Sequence, residues 1–496
     1  MFRKITYNDA VNNRIFNDPV SSRIAVMLPA HNEEKSIKST LDSLSKLKIP
    51  DECILDVFIA LDNCSDDTEL VIKENSHNLN IYALDTVDNH ERKAGALNQL
   101  YRLFLGDMSE GAEKLSEEHL KTSNNIVAFM GIDADVYLDK DCLITLYSEL
   151  NSKYNIGGVS ANYKRLMPES KRRILAYDVE GEDKINEGKH GGVIARFITA
   201  QQNKSFASWT LEQKTNGFSA SILGGQCTLF RPQALREIYN HFKLNGVYDN
   251  TTDTEDLLLT QELRELGWKP VISVSARCYV DSMKDMKSYV SQQLKWSVGK
   301  LDYTTKAGVS TNYARKNWIE ELTLFMNGAI RVMLLILVPT SVALGDFKWS
   351  WIWAIPLVFS AILNTIISIK VPRHRFIDVL LSITTISAEF SIWFDLYVHL
   401  KSWKELSKSE RSDTWAMQYA AESGVSKSHS SGLISFIVVV LLIISGIYFN
   451  VISLDSAIIA IKPYIASGFQ ILTYMTLFTS VLMMFKLFRI RGNFKA

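Results

Sequence analysis

The chain has 496 residues, enough for two or three domains. Its 54 lysines and arginines balance its 54 aspartates and glutamates, so no bulk charge points to nucleic acid as a partner. The apolar share of 47% conceals a split, because residues 1–317 read as a soluble α/β region while 318–496 hold long apolar runs with few charges.

Residues 1–22 are polar and Asn-rich, with no apolar stretch of the signal-peptide kind, so the region that follows is expected to stay in the cytoplasm. Residues 24–28 form a short apolar run that fits a buried strand. A loop, Pro29-Ala30-His31-Asn32-Glu33-Glu34, then enters a helix whose apolar face is Ile37, Leu41, Leu44 and Leu47. Residues 54–61 give a second strand, and Asp62-Asn63-Cys64-Ser65-Asp66-Asp67 breaks it and caps the next helix. Strands recur near Ile81, over 126–132 and over 157–162, with helical patterns between them. This alternation predicts a mostly parallel sheet with helices on its faces, in which ligands sit beyond the carboxyl ends of strands. Residues 107–124 and 180–192 read as surface insertions. Five scattered cysteines (Cys53, Cys64, Cys142, Cys227, Cys278) contain no C-x-x-C pair and are expected to be reduced core thiols.

Further on, 349–369, 432–454 and 463–485 each run uncharged for the length that crosses a bilayer. Residues 322–344 are a fourth candidate, interrupted by Arg331, and 376–400 is broken by Asp378, Glu389 and Asp395. Basic residues flank the cytoplasmic ends of spans. Keeping Arg373, Arg375, Lys401, Lys404, Lys408, Arg411, Arg489, Arg491 and Lys495 inside favours four crossings plus one interfacial or re-entrant helix. Five crossings with an external C-terminus is the alternative. Arg331, Glu389 and Asp395 could line a polar path through such a bundle, since ionisable groups at membrane depth face protein or water.

Five polar clusters carry the chemistry. Gly131-Ile132-Asp133-Ala134-Asp135 follows a buried strand, and its two carboxylates offer hard oxygens for Mg²⁺ or Mn²⁺. Asp62 ends the second strand, where a carboxylate accepts from a ribose or base, or caps a helix. Lys93, in Glu91-Arg92-Lys93-Ala94-Gly95-Ala96-Leu97-Asn98, stands at a helix start and suits a diphosphate, unless it is a solvated surface lysine. Thr254-Glu255-Asp256 opens another helix, where a carboxylate can be a general base or Thr254 a simple N-cap. Gln292, Lys295 and Trp296 share one helix face just before the apolar region. They suit a sugar and a phosphate, and equally an interfacial helix.

In this order the motifs PAHNEE, ALDNCSDDT, KAGALN, DAD, GGQCTLFR, TED and QQLKW resemble the processive family 2 glycosyltransferases, over roughly residues 23–300. That group includes cellulose, chitin, hyaluronan and poly-N-acetylglucosamine synthases. The resemblance implies a GT-A fold and inverting transfer from a UDP-sugar to a glycan acceptor. It implies a nucleotide-sugar site with Glu33, Asp62, Lys93 and Asp133, a metal on Asp135 and Asp133, and Asp256, beside Glu255, as base. The QxxRW motif, here with Lys295 in place of arginine, lines the acceptor site and touches the diphosphate. Gln226 departs from the small or hydroxyl residues usual in the GGQC stretch.

The expected division is a polar segment 1–22, a GT-A domain 23–284, an interfacial helix region 285–317 and a transmembrane region 318–496. The expected location is the plasma membrane, multi-pass, with the catalytic domain cytoplasmic. A partner subunit in the bilayer or a homo-oligomer would supply any further channel wall. N-acetylglucosamine is the sugar the overall resemblance favours. A glucose-using β-glucan synthase and single-sugar transfer to a lipid or glycolipid are the alternatives.

Overall fold

A computed structural model describes residues 1–6, 9, 22–105, 125–166, 192–242, 246–250, 252, 254–345, 347–371, 374, 376–408, 417–418, 455–490 and 494, with 455–462 as backbone only. The chain divides into two compact units, Met1–Met286 with Phe494–Ala496, and Lys287–Asn493.

The first unit is built on one mixed sheet. Its strands are β1 (Phe2–Lys4), β2 (Ser22–Ala30), β3 (Cys53–Leu61), β4 (Asn80–Asp85), β5 (Ile126–Ile132), β6 (Tyr137–Leu138), β7 (Ile156–Leu166), β8 (Cys227–Phe230) and β9 (Lys269–Asp281). They lie in the order β1-β4-β3-β2-β5-β8-β7-β9-β6. Pairing is parallel from β1 to β5 and between β7 and β9, and antiparallel at β5–β8, β7–β8 and β9–β6. The sheet begins ahead of residue 23, where the sequence placed the domain boundary, because Phe2–Lys4 pairs with β4 at the edge. Helices α1 (Ile37–Leu44), α2 (Thr68–Glu74), α3 (Arg92–Leu105), α4 (Cys142–Asn151), α5 (Val193–Thr215), α6 (Pro232–Phe242) and α7 (Glu255–Glu265) connect the strands.

Strand alternation sorts the core into two faces. Ile24, Val26 and Leu28 of β2 pack with Ile37, Leu41 and Leu44 of α1 and Leu143 and Leu146 of α4. Ala25 and Met27 point the other way and meet Leu97, Leu100, Tyr101 and Phe104 of α3. Each of these large apolar side chains contributes roughly 1.5–3 kcal/mol by leaving water. Aromatic pairs reinforce the α3 face, with Phe58 stacked on Tyr82 at 4.9 Å and Phe104 edge-on to Phe58 at 4.9 Å. Between β2 and β3 a buried ion pair, Arg23 Nη1 to Asp56 Oδ2 at 2.6 Å, is completed by Asn80 Nδ2 on Asp56 Oδ1 at 3.1 Å.

β3 and β4 step away from β2 on one side and β5 lies on its other side, so the chain reverses direction across the sheet between β2 and β5. Such a reversal opens a crevice at the carboxyl strand ends, where α/β sheets hold ligands. Asn32 (φ 55°) and Asn63 (φ 50°) end β2 and β3 in the left-handed region that asparagine tolerates.

One helix carries a destabilising group. Glu262 of α7 is 6% exposed, and among the described residues its Oε2 meets no hydrogen-bond partner. Burial, then Asp249 and Glu265, push its carboxyl up to about 7. A folded-state value above the unfolded one gives stability below pH 4.5 that is lost as pH rises through 7. Glu262→Gln is therefore expected to raise the melting temperature at pH 8, by on the order of 1–2 kcal/mol of stability, with the gain fading toward pH 5. Equal shifts at both pH values would contradict the assignment.

The second unit is helical: α8 (Met286–Ala307), α9 (Asn312–Ala343), α10 (Ile355–Lys370), α11 (Phe376–Ile383), α12 (Ile386–Leu406) and α13 (Asp455–Arg489). Among the described residues three helical segments, Asn312–Val342, Trp351–Lys370 and Pro463–Arg489, are long and apolar enough to cross a membrane. The pair α11–α12, bent by 74°, makes a fourth if counted as one broken span. The break, with Thr385 at φ 58°, falls inside the stretch 376–400 that the sequence left between crossing and re-entrant. The candidate span 432–454 and the insertion 107–124 lie outside the described residues, as does the insertion 180–192 apart from Gly192. Arg331 of α9 and Glu389 of α12 form a two-pronged ion pair, both bonds 2.8 Å, so these charges on two apolar helices neutralise each other. Trp353 stacks on Phe469 at 4.9 Å and donates to Thr473 Oγ1 at 3.1 Å, tying the start of the second segment to α13.

Candidate active site

The site forms where β2, β3 and β5 end. Asp62, directly after β3, is 7% exposed. Its Oδ1 accepts from Asn63 Nδ2 at 3.1 Å, Thr86 Oγ1 at 2.9 Å and Asn89 Nδ2 at 2.7 Å. The carbonyl of Asp62 lies 2.6 Å from His31 Nδ1. A carbonyl only accepts, so Nδ1 carries a proton.

Asn89 links Asp62 to the start of α3. Its Nδ2 also donates to the Arg92 carbonyl at 2.8 Å, and its Oδ1 accepts from the Glu91 N–H at 3.0 Å. A Cβ at residue 95 would stand 2.1 Å from that Oδ1, which explains the glycine. Arg92 sits at φ 55°, a strained position for a side-chain-bearing residue and one that such sites favour.

Lys93, in the first turn of α3, turns into the site rather than into solvent. Its ammonium is 2.5 Å from Asp133 Oδ1 and 3.6 Å from Glu255 Oε1. Burial works against its charge, but Asp133 and Glu255 outweigh it and raise its pKa. Burial also raises the carboxyl of Asp133, with Lys93 opposing and Asp135 adding to the rise. Asp256 stands beside the same cluster. Its Oδ1 accepts from the Leu257 N–H at 2.8 Å and its Oδ2 from the Gly225 N–H at 3.4 Å. Burial, then the charge of Glu255, push it up to about 6, with Lys93 pulling the other way. Thr254 stands at the N-cap position of α7, as the sequence allowed, but its side chain makes no capping hydrogen bond.

The segment around Gly224 and Gly225 closes on the lysine. A Cβ on Gly225 would lie 2.5 Å from Lys93 Nζ, and one on Gly224 2.4 Å from the Tyr163 hydroxyl. Close approach of backbone to the ammonium at Gly225, and to the Tyr163 hydroxyl at Gly224, explains the paired glycines.

Lys93, Asp133, Glu255 and Asp256 thus meet in one cluster, Asp135 adjoins it, and Asp62 joins it through Asn89. Glu33 is held locally: its carboxylate accepts from the Ser36 hydroxyl and its N–H donates to Thr68 Oγ1 at 2.7 Å. Gln292 and Lys295 are buried and Trp296 half-buried, all on α8 in the second unit. Sequence reasoning did not single out Asn89 or Thr86, for neither stands in a motif.

Among the described residues no three His, Cys, Asp or Glu side chains converge to bind a metal alone. Mg²⁺ and Mn²⁺ are commonly bound by one or two carboxylates and completed by phosphate oxygens and water. Asp133 and Asp135 offer two carboxylates of that kind, and the upward push of Asp135 on Asp133 is a repulsion that a cation would relieve.

The family model described as "Glycosyltransferase like family 2" matches residues 22–299. A poly-beta-1,6-N-acetyl-D-glucosamine synthase of Staphylococcus epidermidis is 22% identical over 276 residues, 56% of this chain and 54% of the relative. The synthase of the same name from Staphylococcus aureus (strain COL) is 23% identical over the same shares. The chain spans about half the length of the curated relatives it matches. Among solved structures, the mannosyltransferase PcManGT from Pyrobaculum calidifontis in complex with GDP-Man and Mn²⁺ aligns with TM-score 0.40 and 14% identity, covering 84% of this chain and 93% of that one. Residues 1–349 of S. aureus TarS in complex with UDP-GlcNAc align with TM-score 0.33 and 13% identity, covering 74% and 91%. With the family model matching more than half of its length, this chain belongs to family 2 of the glycosyltransferases.

Proposed function

We propose that this family 2 glycosyltransferase is membrane-bound and inverting, and transfers N-acetylglucosamine from a UDP-sugar to a growing β-linked polysaccharide. The observation that carries the reading is the cluster in which Lys93 joins Asp133 to Glu255, with Asp256 alongside. The sugar rests on the name of the curated relatives, and membrane attachment on the three long apolar segments.

In this reading Asp62 receives the nucleoside and Lys93 faces the diphosphate, with Glu33 at the neighbouring loop. Asp256 takes the proton of the acceptor hydroxyl, whose oxygen bonds to the anomeric carbon as the bond to the nucleoside diphosphate breaks. A single displacement of this kind turns an α-linked donor into a β-linkage. Asp135 and Asp133 would hold a divalent cation, which when bound would neutralise charge on the diphosphate. Gln292, Lys295 and Trp296 serve the acceptor and the diphosphate. The working division is a polar segment 1–22, a catalytic domain 23–284 on the cytoplasmic face of the plasma membrane, a helix region 285–317 and a membrane region 318–496.

The test is a panel of radiolabelled UDP-sugars given to membranes carrying the chain, with Mg²⁺ or Mn²⁺. UDP-N-acetylglucosamine is expected to yield a labelled polymer. A product one sugar longer than its acceptor would replace the polymer reading, and no release of UDP from any donor would end the transferase reading.

A further inference from the structure

Asn98 closes the helical motif that begins at Lys93, yet the reaction above gives it no task. Its side chain is 2% exposed. Its Oδ1 accepts from the N–H groups of Val247 and Tyr248, each at 2.8 Å, and its Nδ2 donates to the Tyr248 carbonyl at 2.7 Å. One amide thus satisfies three buried backbone groups on a segment 149 and 150 residues away. The contact is close: a Cβ on Gly246 would stand 2.1 Å from Asn98 Cγ.

The segment it holds leads directly into α7 and its carboxylates. Tyr248 is 5% exposed, and its hydroxyl lies 3.8 Å from where a Cβ on Gly131 would be, just ahead of Asp133. Its ring is 6.0 Å from that of Tyr101, a buried residue of the same helix as Asn98. Burial, then the charges of Glu255 and Asp256, raise the Tyr248 phenol, so it stays neutral beside the acidic cluster.

We infer that Asn98 is a positioning residue for the transfer step: it fastens residues 246–248 to α3, so that Tyr248 backs the acidic cluster and Asp256 stays in register with Lys93. This inference rests on the proposed transferase reading. Side-chain chemistry explains the choice of asparagine. Aspartate keeps the acceptor but loses the donor and adds a buried charge, and leucine has the shape without either function. Helix α3 then joins three parts of the site: Asp62 through Gly95 and Asn89, the carboxylates through Lys93, and the segment carrying the base through Asn98.

The experiment compares wild type, Asn98→Ala, Gly246→Ala and Tyr248→Phe in the full chain, measuring kcat, KM for UDP-N-acetylglucosamine, UDP binding and melting temperature. A displacement of about 1 Å can cost about 100-fold in rate. Asn98→Ala and Gly246→Ala are expected to lower kcat roughly 10- to 100-fold, with KM and UDP binding within about threefold of wild type. Tyr248→Phe, which keeps the ring and the clasped backbone, is expected to stay within about fivefold in kcat. If Asn98→Ala does not fold, Gly246→Ala decides, because it displaces the same amide while leaving it in place. A folded Gly246→Ala with wild-type kcat, or a fall in UDP binding that matches the fall in kcat, overturns the inference. Wild type inactive with every donor overturns the transferase reading, and the inference with it.

Discussion

Asp256→Asn is expected to lower sugar transfer by about 10²–10⁴-fold, the usual contribution of a general base, while UDP binding stays at the wild-type level. The change is nearly isosteric, and the amide oxygen keeps the shorter of the two bonds that hold the carboxylate now, from the Leu257 N–H at 2.8 Å, while the Gly225 N–H at 3.4 Å loses its acceptor. What it cannot do is take a proton. Burial and Glu255 bring Asp256 to about 6, so kcat/KM of the wild type is expected to rise through pH 6 as the base ionises. The same shift makes Asp256 a cost to the fold. Its folded-state value lies above the unfolded one, so stability is present below pH 3.8 and is lost as pH rises through 6. The variant should therefore melt higher than wild type at pH 8 and about equally at pH 4, while being nearly inactive at both. A site that gains stability when its chemistry is removed is under functional constraint. Full activity in Asp256→Asn, or an acid limb that persists at pH 6 in the variant, removes Asp256 from the role.

The parallel half of the sheet was legible in the sequence for a definite reason. Strands covered on both faces read as near-continuous apolar runs, and 24–28, 54–61 with only Asp56 interrupting, and 126–132 are such runs. The rest of the sheet was not. β1 is a three-residue edge strand, β6 has two residues, and β8 lies inside a stretch that reads as a motif. β9 is interrupted by a register shift opposite Ser160 and Asn162, and its exposed Val274 and Ser275 break the apolar pattern. In the site, Lys93, Asp133, Glu255 and Asp256 could be picked out because each follows a strand or opens a helix, where charge faces a crevice. Asn89 and Asn98 could not be assigned work, because both satisfy groups that only the folded chain brings within reach. An asparagine that satisfies backbone 150 residues away looks in sequence like any polar residue on a helix. In the helical unit, loop charge favoured an interfacial or re-entrant helix over 376–400, and the 74° bend between α11 and α12 fits a broken span as well as a re-entrant loop, while the Arg331–Glu389 pair needed coordinates.

Lys93→Met should be costlier to the fold than any other single change at this site. Lys93 and Asp133 are only 19% and 24% exposed, and the methionine would leave Asp133 and Glu255 facing each other without a cation. Breaking a buried pair by removing one partner costs about 3–5 kcal/mol, and residual solvent contact reduces that to about 2 kcal/mol here. The sign of the pH dependence follows from Asp133, whose carboxyl burial already raises. Without the ammonium it rises further, and the penalty appears as pH climbs through that value. The loss in melting temperature is therefore expected to be larger at pH 8 than at pH 5, where protonation relieves the repulsion. Lys93→Arg should not restore the wild type, because Gly225 already closes on the ammonium and leaves no room for a planar guanidinium. If Asp133 and Asp135 also hold the divalent cation, Mn²⁺ should raise the melting temperature of Lys93→Met more than that of wild type, since ligand binding to the folded state stabilises by mass action. An equal response to Mn²⁺ in both would separate the lysine from the metal site, and a deficit independent of pH would show that Asp133 does not depend on Lys93 for its charge.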